Sequence, residues 1–244
     1  MIRRLLVRGL IAGALAGVLA FVVAYLFGEP QLQHAIDLEG SAGPALVSRG
    51  AQRSIGLLTG TVVMGAALGG FFALVFAWAY GRVGPFGPRV LSALLGAGAF
   101  LTITLVPFTK YPANPPGVGD PDTIDTRTVL FVAMIVISLL AAVAAWRIRR
   151  QLLDRLGSWN ASLLAIGFFV ALVAVAQLIL PAVHETPNGF PADVLYRFRL
   201  ASLGINLTMW TTIGLGFGAA AERLLGAQRD ITPAASHRAL FTQR

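Results

Sequence analysis

The 244-residue chain contains no cysteine. Disulfide frameworks, thiolate metal sites and cysteine nucleophiles are therefore excluded. Charge is scarce as well. Asp, Glu, Lys and Arg make up 12% of the residues, against roughly 25% in a soluble domain. No HExxH helix, GxxxxGK[ST] phosphate loop or GxSxG elbow occurs in the sequence, which leaves zincin, nucleotide-driven and nucleophile-elbow chemistry without a local basis. The formal net charge of +8 does not point to nucleic acid, because the arginines punctuate apolar runs and form no basic face.

What is present is apolar. Hydrophobic residues account for 56% of the chain, and the mean hydropathy is +0.74. Six stretches are long enough to cross a bilayer, which takes about 20 mostly apolar residues. They are Leu5–Phe27, Ser54–Tyr80, Val90–Phe108, Thr128–Trp146, Leu156–Pro181 and Leu200–Ala221, nearly free of charged side chains. The fold class expected is an all-α polytopic membrane protein: a six-transmembrane-helix bundle over residues 1–225, followed by a flexible cytoplasmic tail over 226–244. The first run has the basic start and apolar core of a signal peptide. It continues through "GVLAFVVAYLF", however, and is read as a retained first helix.

The loops are sorted by charge. The N-terminus, Gly81–Arg89, Arg147–Arg155 and the segment from Glu222 together hold 13 Lys+Arg and 3 Asp+Glu. The three segments on the other side, Gly28–Arg53, Thr109–Arg127 and Ala182–Arg199, hold 6 and 8. Basic residues favour the cytoplasmic side of short loops, so both termini are expected inside, with the acidic loops outside. Each outer loop runs from a proline near the membrane exit through acidic residues to an arginine before the next helix: Arg53, Arg127, and the pair Arg197 and Arg199. This order suggests three repeated helical hairpins. Arginine at a helix N-terminus opposes the helix dipole, so each needs a partner, either an acid of a neighbouring loop or a lipid headgroup.

The most unusual outer segment is "KYPANPPGVGDPDTIDTR", Lys110–Arg127. Its prolines stiffen it. A loop of this length is either functional or a solvated connector. Glycines at four-residue spacing, Gly9, Gly13 and Gly17 in the first run, with Gly56 and Gly60 and then Gly65 and Gly69 in the second, form small faces that let helices approach in lipid. The same faces could support an oligomer.

Mid-membrane polar residues are confined to hydroxyls and amides: Thr59, Thr61, Thr102, Thr104, Ser138, Gln177, Asn206, Thr208, Thr211 and Thr212. No carboxylate or histidine lies at mid-depth, which argues against a self-contained proton-driven pump. Gln177 and Asn206 are candidates for a hydrogen bond across the bundle. Cation ligands must then come from the outer face. The candidate metal residues are Glu29, His34, Asp120, Asp122, Asp125, His184 and Glu185, with Asp37, Glu39 and Asp193 nearby. Imidazole combined with carboxylate oxygen suits divalent transition metals such as cobalt or nickel. The spacing matches no established motif, and each loop histidine is equally readable as solvated.

The segments "IGLLTGTVV", "VPFTKYPANPPGVGDPDTI" and "FPADVLYRFRLASLG" resemble the bacterial probable cobalt transporter subunits of the CbtA type, a likeness that runs from about Met1 to Leu225. The resemblance implies uptake of Co2+ (or Ni2+) linked to cobalamin synthesis. It also implies a multi-pass location in the bacterial inner membrane and a small, histidine-rich, single-helix partner subunit of the CbtB type. No permanently bound cofactor and no catalytic residue are implied. Some relatives have a histidine-rich first outer loop, whereas this chain has only His34 there, which moves weight to a partner's histidines. Two other readings remain: a membrane scaffold or assembly subunit without transport, and a lipid-modifying membrane enzyme with Lys110, Arg197 and Arg199 on phosphate and His184 as base.

Overall fold

The computed structural model describes residues 1–39, 47–115, 118, 123–183 and 190–241, and their side chains except at residue 39 and from 227 onward. Most of the described residues are helical, with no strand among them. Five helices are long and apolar enough to cross a membrane: α1 (Ile2–Leu38), α2 (Arg49–Ala79), α3 (Pro88–Lys110), α4 (Ile124–Ile179) and α5 (Ala192–Gly226). The helical backbone of α5 continues to Phe241. The chain is an all-α polytopic membrane protein.

Two expected boundaries are corrected. The segment Arg147–Arg155, expected as a loop, is helical, and the chain turns instead at Gly157 (φ 72°, ψ 168°), a conformation open to glycine. The two arms of α4 fold back on each other there. Met134 is fully buried, and Phe131 of the first arm packs on the same cluster as Phe169 and Val173 of the second. In a straight helix, Met134 and Val173 would lie about 58 Å apart. Arg149 Nε also donates to Ser162 Oγ at 2.9 Å, across the turn.

The second correction concerns "GEP", Gly28–Pro30, expected to end the first helix. The helix instead runs on through Glu29–Glu39. A π-helical turn over Ala24–Gly28 precedes Pro30, and another over Phe100–Leu105 precedes Pro107. Proline has no N–H and its ring crowds the carbonyl four residues back. A widened turn just before it relieves that clash, so the helix bends and does not stop. At about 55 Å, α1 is far longer than the roughly 30 Å hydrocarbon layer.

The described residues divide into two compact units. The first draws on Met1–Tyr25, Ala45–Gly98 and Ile205–Arg244, the second on Leu26–Pro44 and Ala99–Gly204. In the first unit, α1 and α2 pack backbone to backbone. A Cβ on Gly9 would lie 2.3 Å from the Gly69 carbonyl oxygen, one on Gly13 2.0 Å from that of Gly65, and one on Gly17 2.4 Å from that of Thr61. The face on α2 is thus Thr61, Gly65 and Gly69. Gly60, expected to belong to it, faces open space, because strict four-residue spacing selects position 61. A second close pair joins α3 to α5. Ser92 Oγ donates to the Gly214 carbonyl at 2.6 Å, and a Cβ on Gly96 would lie 3.1 Å from Gly214 Cα. Arg89 and Glu222 form an ion pair at 2.5 Å beyond that contact. Phe217 of α5 meets Phe76 and Phe72 of α2 edge-on, at 5.0 and 5.6 Å between ring centroids.

Gly13→Leu should push the α1–α2 pair apart and destabilise the protein by about 1–3 kcal/mol, the usual range for overpacking. Gly60→Leu should leave it unchanged. Thermal unfolding of the two variants in detergent, followed by size exclusion, checks the contrast.

Candidate functional site

The second unit carries the polar chemistry, and it starts from Pro107. In the π-turn of α3, the Val106 N–H bonds to the Leu101 carbonyl, five residues back. The next bond of that pattern would run from residue 107 to the Thr102 carbonyl, but proline has no N–H to give. A backbone acceptor in hydrocarbon must find a partner within the protein. Ser138 Oγ of α4 donates to the Thr102 carbonyl. Ser138 is fully buried, Thr102 and Thr104 nearly so. One hydroxyl thus fixes α3 against the first arm of α4 at the point where the helix is irregular.

Further along α3, Gln177 Nε2 on the second arm of α4 donates to Thr109 Oγ1 at 2.7 Å. Thr109 in turn donates to the Val106 carbonyl at 2.7 Å. Gln177, expected to reach towards Asn206, therefore bonds to α3. The helix then ends at Lys110, and "YPANP" follows as a pinned strap. Tyr111, 5% exposed, donates its phenol to the Pro181 carbonyl at 2.8 Å. Burial raises the Tyr111 pKa above its ordinary value, so the phenol stays a protonated donor. Arg199 of α5 donates to Asn114 Oδ1 at 2.9 Å and to the Ala113 carbonyl at 3.3 Å. Pro115 and Val118 are buried. The stiff segment is therefore anchored over its first half, by neutral oxygens.

Partners are described for two of the arginines expected to need one, Arg199 and Arg53. Arg199 binds an amide and a carbonyl. In the first unit, Arg53 Nη2 donates to Tyr25 Oη at 3.1 Å, with its guanidinium 5.5 Å from the centre of that ring. These partners are an amide, a carbonyl and a phenol, all neutral.

The candidate metal residues fall into two groups. Glu29 is half-buried and His34 exposed, both on the helical extension of α1. Five residues of helix turn them about 140° apart, so they do not form a pair. Asp37 accepts from Gln33 Nε2 at 2.8 Å, a helix-surface contact. Asp125 and Asp193 are exposed in the first turns of α4 and α5, where the helix dipole favours a carboxylate. Asp120, Asp122, His184 and Glu185 lie outside the described residues, and the side chain of Glu39 does too. Among the described residues, no three of His, Asp and Glu gather into a metal-holding group.

The strap nevertheless relates the two loops that carry most of these candidates. Asp120 and Asp122 follow Tyr111 by nine and eleven residues, and His184 and Glu185 follow Pro181 by three and four. The Tyr111–Pro181 hydrogen bond joins the roots of the two loops. Tyr111, Asn114 and Ser138 were not recognised as structural determinants from the sequence. The arginine at the start of the last helix was the one signal that a polar partner had to exist.

A family model described as "Probable cobalt transporter subunit (CbtA)" matches residues 2–222. No curated protein and no solved structure matches the chain.

Tyr111→Phe should destabilise the protein by about 1 kcal/mol, and Arg199→Gln by about 1.5–3 kcal/mol, the ranges for a neutral and a charge-assisted hydrogen bond. Both should raise amide exchange over residues 111–115. Unaltered exchange there, measured by mass spectrometry, would show that the strap is held by something else.

Proposed function

The chain belongs to the CbtA family of probable cobalt transporter subunits, and from that premise we propose that it is the permease-like membrane subunit of a cobalt importer serving cobalamin synthesis. It sits in a bacterial inner membrane with both termini cytoplasmic and crosses six times, the two arms of α4 supplying two of the crossings. Its cargo is Co2+, or Ni2+ by the same donor chemistry. A small histidine-rich, single-helix subunit of the CbtB type works beside it.

The observation that carries this reading is the rooting of the acidic loop beside the His184–Glu185 loop by Tyr111 and Pro181. Carboxylates of one loop and an imidazole of the other give the mixed oxygen and nitrogen donors that a divalent transition metal prefers. Asp120, Asp122 and Asp125 concentrate the cation, and His184 and Glu185 complete its coordination. Glu29 and His34 stand further back as a second point of capture. Because the strap is fixed at its base, ligand positions vary less and the ordering cost on binding falls.

Below this collar, Thr109 with Gln177, and Thr102 with Ser138, form a polar line along α3. It offers hydroxyl and carbonyl oxygens and no charge. A cation crossing it meets weak, neutral donors, which suits release more than retention. With no carboxylate or histidine at mid-depth, coupling energy comes from outside this chain. The reading is transport and not catalysis.

Replacing Asp120, Asp122 and Asp125 together with asparagine should lower radioactive cobalt uptake by roughly tenfold or more, the scale of loss on disturbing a metal site. Uptake is measured in cells with matched protein levels and with the partner subunit present. Unchanged uptake would remove the outer acids from the mechanism.

A further inference from the structure

The first unit contains a groove that the polar line does not use. Its volume is about 150 Å³. One wall is a face of α1, Ile11, Ala12 and Leu15, and the other a face of α5, Thr212, Gly216 and Ala220. Ala12 is buried at its base, whereas Ile11 and Leu15 stand open at 56% and 59% exposure. At the N-terminal end of α1 the groove is closed by Arg8. From Arg8 to Leu15 the helix rises about 10 Å, a third of the roughly 30 Å hydrocarbon layer.

Arg8 is half-buried and has no hydrogen-bond or ion-pair partner among the described residues. A cation within the first apolar run, three residues after its start at Leu5, needs an anion or must snorkel to the headgroups. Any surface of α1 and α5 facing lipid is covered by acyl chains. What this groove adds is a fixed apolar seat with a lone cation at its mouth.

We propose that the groove binds one anionic phospholipid of the leaflet on the N-terminal side, its acyl chain along Ile11–Leu15 and its phosphate on Arg8. Charge complementarity selects the headgroup, since an arginine fork pairs with phosphate oxygens in two parallel bonds. The depth suits the upper part of a single chain, and the absence of a second cation in the lining suits one phosphate. The proposal rests on the membrane reading of the helices and is independent of cobalt transport.

Two substitutions separate headgroup from chain. Arg8→Gln removes the cation. Gly216→Leu fills the seat, and because a Cβ on Gly216 meets nothing within 4 Å, the side chain enters the groove without disturbing helix packing. The full chain, purified in mild detergent without metal, is titrated with phosphatidylglycerol or phosphatidylcholine, and bound lipid is counted by native mass spectrometry. The wild type should hold one phosphatidylglycerol in preference to phosphatidylcholine. Arg8→Gln should weaken it about fivefold, the contribution of one basic side chain at a membrane surface, while Arg3→Gln, exposed on the same helix, should not. Gly216→Leu should reduce retention of both lipids. Equal binding of the two lipids by the wild type, or equal losses in the Arg3 and Arg8 variants, overturns the proposal. So does capture of a polypeptide in place of lipid by a photoreactive residue at position 11 in intact membranes. Cobalt uptake enters none of these readouts, so failure here leaves the transport reading standing and the reverse holds as well.

Discussion

Helices already surrounded by hydrocarbon gain almost nothing by burying apolar side chains against one another. Association has to come from close backbone approach and from hydrogen bonds that lipid cannot supply. This chain uses both. Gly9, Gly13 and Gly17 meet Gly69, Gly65 and Thr61, and each step of four up α1 is a step of four down α2. Any side chain on these glycines would reach a carbonyl at 2.4 Å or less, so packing there tolerates no bulk. The α3–α5 contact repeats the device with Ser92, Gly96 and Gly214, and adds a serine hydroxyl on a backbone carbonyl.

The same need for satisfied backbone groups links the core of the second unit to the segment after α3. Pro107 removes a donor, the π-turn before it shifts the bonding pattern, and the buried Thr102 carbonyl accepts from Ser138. That contact sets α3 against α4. It thereby places Thr109 for Gln177, and Tyr111 for the Pro181 carbonyl. The strap after α3 therefore owes its position to a chain of neutral bonds running up from mid-membrane. At its end the Tyr111–Pro181 hydrogen bond holds the residue after α3 beside the end of α4.

Legibility varied with the range of the interaction. The helices were visible because each is a run of apolar residues, and the glycine face of α1 because its spacing is local. Thr61 was overlooked in favour of Gly60, since the partner position depends on where α1 lies and not on residue size alone. Glu29 and His34 read as loop residues because "GEP" reads as a stop. A π-turn, invisible in composition, precedes a helix that runs on past it, and the regular pitch of that helix turns the two side chains apart. The family resemblance and the matched model agree over almost the same residues. The most specific stretch of that resemblance, "KYPANPP", contains the strap "YPANP".

The amino-acid sequence by itself determined that this is an α-helical membrane protein, where its apolar runs lie, how its charges divide between loops, and which chemistry is missing. Those are properties of single segments in a solvent, and composition suffices to state them. Only the tertiary structure decided that Tyr111 bonds to Pro181, seventy residues away, that Arg199 takes Asn114, that Ser138 completes the Thr102 carbonyl and that Gly157 turns the long fourth helix back on itself. Each of these joins groups far apart in the chain, or selects one glycine among many, and the choice is made by which backbone atoms are left without a partner once the helices have packed.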